Sequence, residues 1–213
     1  MNRLPPESRW SILLDLALTA LDTLPDTPSW SWGGGTALAV HLDHRVSYDI
    51  DIFLSDANAL RSLSPQRNPA VRAISESWQE PGHYLKLERP EGEIDFIVAS
   101  LRTEPGITPW PHQGRNVPLE TPAEVLAKKF HFRGSTPVAR DFFDMEAVRR
   151  FDAAGFALAV ATEPDGAGRA ADFVSRNVTR LRREMPLAVN PTPKGQEIVE
   201  TIDLLDLAAE LKG

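Results

Sequence analysis

The stretch Tyr48-Asp49-Ile50-Asp51-Ile52-Phe53-Leu54 alternates polar and apolar residues, a two-residue period that predicts a β-strand. Asp49 and Asp51 then share one face, while Ile50 and Ile52 turn the other way, toward a core. Their Cα atoms would lie roughly 6.5 Å apart, so the two carboxylates repel and a divalent cation would relieve the repulsion. Taken alone, the stretch fits a solvated strand face carrying two acids equally well.

The residues around the pair tilt the balance. About a dozen positions upstream, Gly33-Gly34-Gly35-Thr36 joins a strand-like run, Trp30 to Gly35, to a short helical segment, Thr36 to Leu42. Glycines let the backbone approach a ligand closely, and a helix start offers free N–H groups to an anion. Gly34, Gly35 and the Thr36 hydroxyl are therefore candidate phosphate contacts beside candidate metal-binding carboxylates, which is what handling a nucleoside triphosphate requires. A third acid, Asp95, sits among apolar residues in Glu93-Ile94-Asp95-Phe96-Ile97-Val98. On a strand beside the pair it would supply a further metal ligand or accept the proton of an attacking hydroxyl. By itself it also fits an exposed acid on an edge strand.

Elsewhere the pattern divides the chain. Residues 8 to 23 space their leucines as an amphipathic helix, with Ser8 as its cap. A helix is expected over Ala57 to Ser64, then a looser Pro65–Pro69 stretch. His83 to Arg89 and Glu93 to Ser100 read as strands around an Arg-Pro-Glu-Gly turn. Thr103 to Pro118, with four prolines and two glycines, reads as a loop ending in a short strand. Thr121, Pro122 and Glu124 form a capping-box pattern that opens a helix, and Glu124 to Arg133 and Ala139 to Phe151 flank a Gly-Ser-Thr-Pro turn. Phe156 to Thr162, Gly168 to Glu184 and Gly195 to Leu211 favour helix alone. The expected class is α+β: a core over residues 1–150 with a mixed or antiparallel sheet flanked by helices, then a helical segment over 151–213.

Composition bounds the chemistry. With no cysteine, disulfides and thiolate metal sites are excluded, and His44 and His131 have no His-x-x-x-His partner to suggest zinc. No run reaches the roughly 18 apolar residues that span a bilayer, and Met1 to Glu7 lacks a secretory pattern, so a cytoplasmic protein without membrane contact is expected. A net charge of −7 opposes bulk attraction to nucleic acid. Arg176, Arg180, Arg182 and Arg183 form a local exception, either a solvated helix face or a seat for the phosphates of an RNA acceptor.

Taken together, Gly34-Gly35-Thr36-Ala37-Leu38, His44-Arg45-Val46-Ser47 and Tyr48-Asp49-Ile50-Asp51-Ile52-Phe53 resemble the signature of the AbiEii/AbiGii toxin nucleotidyltransferases, within the DNA polymerase β-like superfamily. Downstream, Lys128-Lys129, Arg133-Gly134 and Arg140-Asp141-Phe142-Phe143-Asp144 are similar to that family's lysine helix, Arg-Gly turn and Arg-Asp-x-x-Asp helix. The resemblance spans roughly residues 30 to 150. Asp43 departs from it, standing where members carry glycine before His-Arg. Gly33 adds a third glycine, and Ser135 to Ala139 is longer than the usual turn.

The resemblance implies Mg²⁺-dependent transfer of a nucleoside monophosphate from a nucleoside triphosphate to an acceptor hydroxyl. Asp49, Asp51 and Asp95 would hold two metals, and Gly34, Gly35, Thr36, Arg45 and Ser47 would contact nucleotide phosphates. Lys129, closer than Lys128 to the family spacing, would offset phosphate charge. Arg140 and Asp144 can pair across one helical turn, so that motif is read as packing rather than chemistry. The family further implies a toxin acting on RNA or tRNA, with an antitoxin protein as partner. Two rivals remain at this point: an adenylyltransferase of small molecules such as antibiotics, and a non-catalytic binding module of the same fold.

Overall fold

The computed structural model describes residues 8–25 and 29–213. Its elements form two compact units. The first takes the chain up to Ala37 with Ser47–Leu101 and Ile107–Glu120; the second takes Leu38–Val46, Arg102–Gly106 and Thr121–Gly213.

The first unit is built on one seven-stranded sheet. Its strands are β1 (Trp30–Gly33), β2 (Ile50–Leu54), β3 (Ser77–Gln79), β4 (Tyr84–Arg89), β5 (Gly92–Val98), β6 (Ile107–His112) and β7 (Arg115–Glu120). They lie in the order β3-β4-β5-β2-β1-β7-β6. β1–β7 and β2–β5 run parallel and the other pairs antiparallel, so the sheet is mixed, as the expected fold class requires. α1 (Trp10–Leu21) packs on β5 and β2, while α3 (Ala57–Ser62) and α4 (Pro69–Ile74) complete the helical cover. Ile50, Ile52 and Leu54 are buried, with Phe53 between them, and so are Leu13 and Leu14 of α1 and Phe96 of β5. Burying such side chains stabilises the unit by about 1.5–3 kcal/mol each.

The second unit is helical. α5 (Pro122–Arg133), α6 (Ala139–Phe151), α7 (Ala153–Thr162), α8 (Pro164–Ala188), α9 (Pro193–Thr201) and α10 (Leu204–Glu210) pack around Phe130, Phe142, Phe143, Val174 and Leu181. α2 (Gly34–Leu42) begins in the first unit and ends in the second. The strands stop at Glu120, and α5 and α6 group with the later helices and with Leu38–Val46 and Arg102–Gly106.

Several local expectations are corrected. Thr103 to Pro118 contains the β6–β7 hairpin rather than a loop; its Pro109 and Pro111 lie on the edge strand, where a missing N–H costs least. Ser8 makes no cap; Arg9 precedes α1 and the Ser8 hydroxyl donates to the Ser47 carbonyl. Only half of the capping box at α5 forms. The Thr121 hydroxyl accepts the Glu124 amide, but the buried Glu124 carboxylate takes the Arg102 and Thr103 amides instead. Residues 195–211 make two helices, because the Asp203 carboxylate accepts the Leu205 amide and starts α10 afresh.

Candidate active site

In the first unit the strands bring two of the predicted acids together. β2 and β5 run parallel with Asp51 opposite Asp95. Asp95 thus lies on an interior strand between β4 and β2, and it is not the edge-strand acid that the isolated sequence also allowed. Burial, and then the Asp51 charge, push the Asp95 carboxyl up to about 6. Its Oδ1 is buried without a hydrogen-bond partner, while Oδ2 lies 3.4 Å from Lys86 Nζ.

The glycine turn meets this pair directly. Gly34 opens α2 with φ +71°, and a Cβ there would overlap the Asp51 carboxylate. The acid therefore rests against the backbone at the start of a nine-residue helix, where N–H groups face an incoming anion. Gly33 is closed in as well, since a Cβ there would overlap the buried Glu120 carboxylate, which accepts the Ser31 hydroxyl at 2.6 Å. Thr36 does not project a spare hydroxyl: it donates to the Asp49 carbonyl and lies 2.9 Å from the Ser47 hydroxyl. Thr36 and Ser47 therefore tie the glycine turn to the segment that carries the acids.

Asp49 precedes β2 instead of lying within it, and its Oδ1 accepts the Glu93 amide at 3.1 Å. Among the described residues no group of three or more His, Asp or Glu side chains gathers closely enough to hold a metal. The three-carboxylate cluster expected from sequence is thus a pair, Asp51 and Asp95, with Asp49 drawn onto the β5 backbone. A pair still fits a magnesium ion, which commonly takes one or two carboxylates and fills its remaining positions with substrate phosphates and water. The unpartnered Asp95 Oδ1 beside a like charge is the kind of oxygen such an ion would satisfy.

The remaining predicted residues form a separate cluster in the second unit. Asp144 is fully buried and receives Arg45 through Nε at 2.7 Å and a second guanidinium nitrogen at 3.2 Å. His44 Nε2 lies 2.9 Å from the same carboxylate, and Lys129 Nζ bridges Asp141 at 2.6 Å and Asp144 at 3.0 Å. Burial raises the Asp144 carboxyl, but Arg45, Lys129 and His44 outweigh it and hold it well below the usual range. Burial opposes the Lys129 charge too, yet Asp144 and Asp141 keep its ammonium above its ordinary pKa. The expected Arg140–Asp144 pair is replaced by these partners. The two lysines also part: Lys128 lies 3.5 Å from the Glu124 carboxylate, away from the Asp141 and Asp144 partners of Lys129.

The His44-Arg45 segment is fastened by residues that sequence reasoning did not single out. The Val46 amide donates to the Asn190 carbonyl, the Thr192 hydroxyl to the Asp43 carbonyl, and Lys194 to the Leu42 carbonyl. Asp43 adopts φ +50°, a left-handed conformation in which glycine is easiest and aspartate tolerated. In α8, exposed Arg176, Arg180 and Arg183 line an open groove of about 440 Å³ together with Asn177 and Thr179.

Comparison with known proteins gives one family. Residues 16–202 match the family described as nucleotidyl transferase AbiEii toxin of a type IV toxin–antitoxin system. No curated protein matches the chain. Among solved structures, the antibiotic-resistance factor ANT(2'')-Ia is 16% identical over 82% of this chain and 96% of its own, with a TM-score of 0.48. The nucleotidyltransferase toxin MenT4 of Mycobacterium tuberculosis H37Rv is 17% identical over 95% of this chain and 80% of its own, with a TM-score of 0.46.

Proposed function

We propose a specific reaction for this chain, which belongs to the AbiEii nucleotidyl transferase toxin family and is a nucleotidyltransferase: transfer of a nucleoside monophosphate from a nucleoside triphosphate to a hydroxyl of RNA. The observation that carries the reading is the Asp51 carboxylate lying against Gly34, which puts an acid beside anion-binding amides. In the reaction the acceptor oxygen attacks the α-phosphorus, the new P–O bond forms as the bond to the departing pyrophosphate breaks, and the hydroxyl proton passes to a base.

Each residue has a part in this proposal. The amides of Gly34 and Gly35 bind triphosphate oxygens, and the Thr36 and Ser47 hydroxyls fix the turn that presents them. Asp51 and Asp95 would hold magnesium, with Asp49 tying the β5 backbone beside them, and the ion would offset phosphate charge and polarise the α-phosphorus. Asp95 is also the proposed acceptor of the hydroxyl proton, through the oxygen that the metal leaves free. Lys129 and Arg45, expected from sequence to offset phosphate charge, instead hold Asp141 and Asp144 in the second unit, and the proposal gives them the part of fixing that cluster. The arginine groove of α8 supports RNA as the acceptor, since three exposed guanidinium groups at near-helical spacing suit a phosphate backbone. An antitoxin protein is the partner that the family description suggests.

The test is incubation of the protein with Mg²⁺, each of the four α-labelled nucleoside triphosphates, and total RNA, tRNA or aminoglycosides. Label in RNA supports the proposal. Label in the aminoglycoside alone would assign the small-molecule reaction, and no label anywhere would contradict both.

A further inference from the structure

Lys86 and Asp95 are register partners on the antiparallel strands β4 and β5. Lys86 Nζ stands 3.4 Å from Asp95 Oδ2 and also pairs with Glu93, two residues earlier on β5. One ammonium is therefore shared by two carboxylates on the same face of one strand. The Lys86 and Asp95 side chains are each 19% exposed, whereas Glu93 is 42% exposed, so the Glu93 position is the more hydrated of the two. The other Asp95 oxygen is buried and unpartnered, on the strand that pairs with β2 and sets Asp95 opposite Asp51. This lysine lies outside the residues whose spacing marks the family motifs, and the reaction proposed above gives it no part.

We propose that Lys86 is a positioning residue that competes with the divalent cation for Asp95, balancing the carboxylate pair until nucleotide and metal arrive and then retiring onto Glu93. The inference rests on the reading of Asp51 and Asp95 as cation ligands. Its physical basis is the second seat. Two like charges a strand apart are costly in a partly buried site, and a single positive charge on one of them reduces that cost. A divalent ion carries twice the charge and recruits phosphate oxygens as further ligands, so it outbids an ammonium once the triphosphate is present. Because Glu93 already holds Lys86, the exchange leaves no ammonium stranded in the sheet. The device would keep the site from trapping free cation while leaving it ready for the metal–nucleotide complex.

The experiment titrates Mn²⁺ alone into nucleotide-free protein by calorimetry. Lys86→Met should bind Mn²⁺ about fivefold more tightly than the native chain, the scale of a partly exposed ion pair, and Lys86→Arg should stay within about twofold. In an Asp95→Asn background the Lys86→Met effect should vanish, whereas a charge acting only at a distance would persist there. Glu93→Gln, which removes the second seat, should weaken Mn²⁺ binding in the native background and do so far less when Lys86 is also Met. If Lys86→Met does not fold, Glu93→Gln in the native background decides the matter. Unchanged affinity in Lys86→Met and Glu93→Gln, while Asp51→Asn loses Mn²⁺, overturns the proposal and leaves the metal reading standing. A native chain that binds no Mn²⁺ overturns that reading, and this proposal with it.

Discussion

Asp51 and Asp95 face one another across the parallel strands β2 and β5, and Asp51 also rests on the backbone of Gly34. Two consequences of that pairing can be measured.

The first concerns pH. Burial and the Asp51 charge raise Asp95 to about 6, so between about pH 4 and 6 the folded chain holds a proton that the unfolded chain has released. Stability therefore falls as pH rises through this window. In metal-free buffer, Asp95→Asn is expected to stabilise the protein by about 1–3 kcal/mol near neutral pH, with the gain fading toward about pH 4. Urea denaturation at a series of pH values reads it.

The second concerns the turn. Gly34→Ala meets both a positive φ and the Asp51 carboxylate, so alanine must displace one of them. A loss of about 1–3 kcal/mol is expected together with loss of triphosphate binding. Denaturation and nucleotide titration on the same preparation would report both.

Asp144 makes the opposite pH prediction. Its carboxyl is held well below the usual range by Arg45, Lys129 and His44, so its contribution is present above about pH 4 and lost as pH falls below it. Asp144→Ala removes a carboxylate shared by buried Arg45 and by Lys129, the latter keeping Asp141, and should cost about 3–5 kcal/mol at neutral pH. Thermal melts at neutral and acid pH should show the difference narrowing in acid.

The sequence made some of this visible and hid the rest for physical reasons. Period-2 alternation marked β2 and its acids, because one buried face repeats every second residue, and the same rule exposed β4 and β5. The β6–β7 hairpin was hidden by its prolines, which speak against a strand until the edge position of β6 is known. The Asp144 cluster was hidden by distance: Asp144 lies 100 residues beyond His44, and helical spacing suggested the local Arg140 partner instead. Asp49 pointed the right way for a three-acid cluster, but the amide of Glu93, on another strand, claims its carboxylate oxygen. Local pattern thus located the acids, and only tertiary pairing decided which of them meet.

The arginine groove carries a prediction about the acceptor. Arg176, Arg180 and Arg183 are exposed on α8, whose buried face is formed by Val174, Leu181 and Met185. Replacing the three arginines by alanine should leave the melting temperature within a few degrees, weaken RNA binding, and flatten its salt dependence. Fluorescence anisotropy with labelled tRNA at several salt concentrations measures this.

The most direct test of the central claim compares the native chain with Asp51→Asn in Mg²⁺-dependent transfer of α-phosphate label from nucleoside triphosphates to RNA. The native chain should transfer label and release pyrophosphate, while a folded Asp51→Asn should lose about a hundredfold or more of the rate, as removal of a transition-state charge partner does. Transfer by Asp51→Asn at the native rate would contradict the assignment of Asp51 and the glycine turn as the catalytic centre.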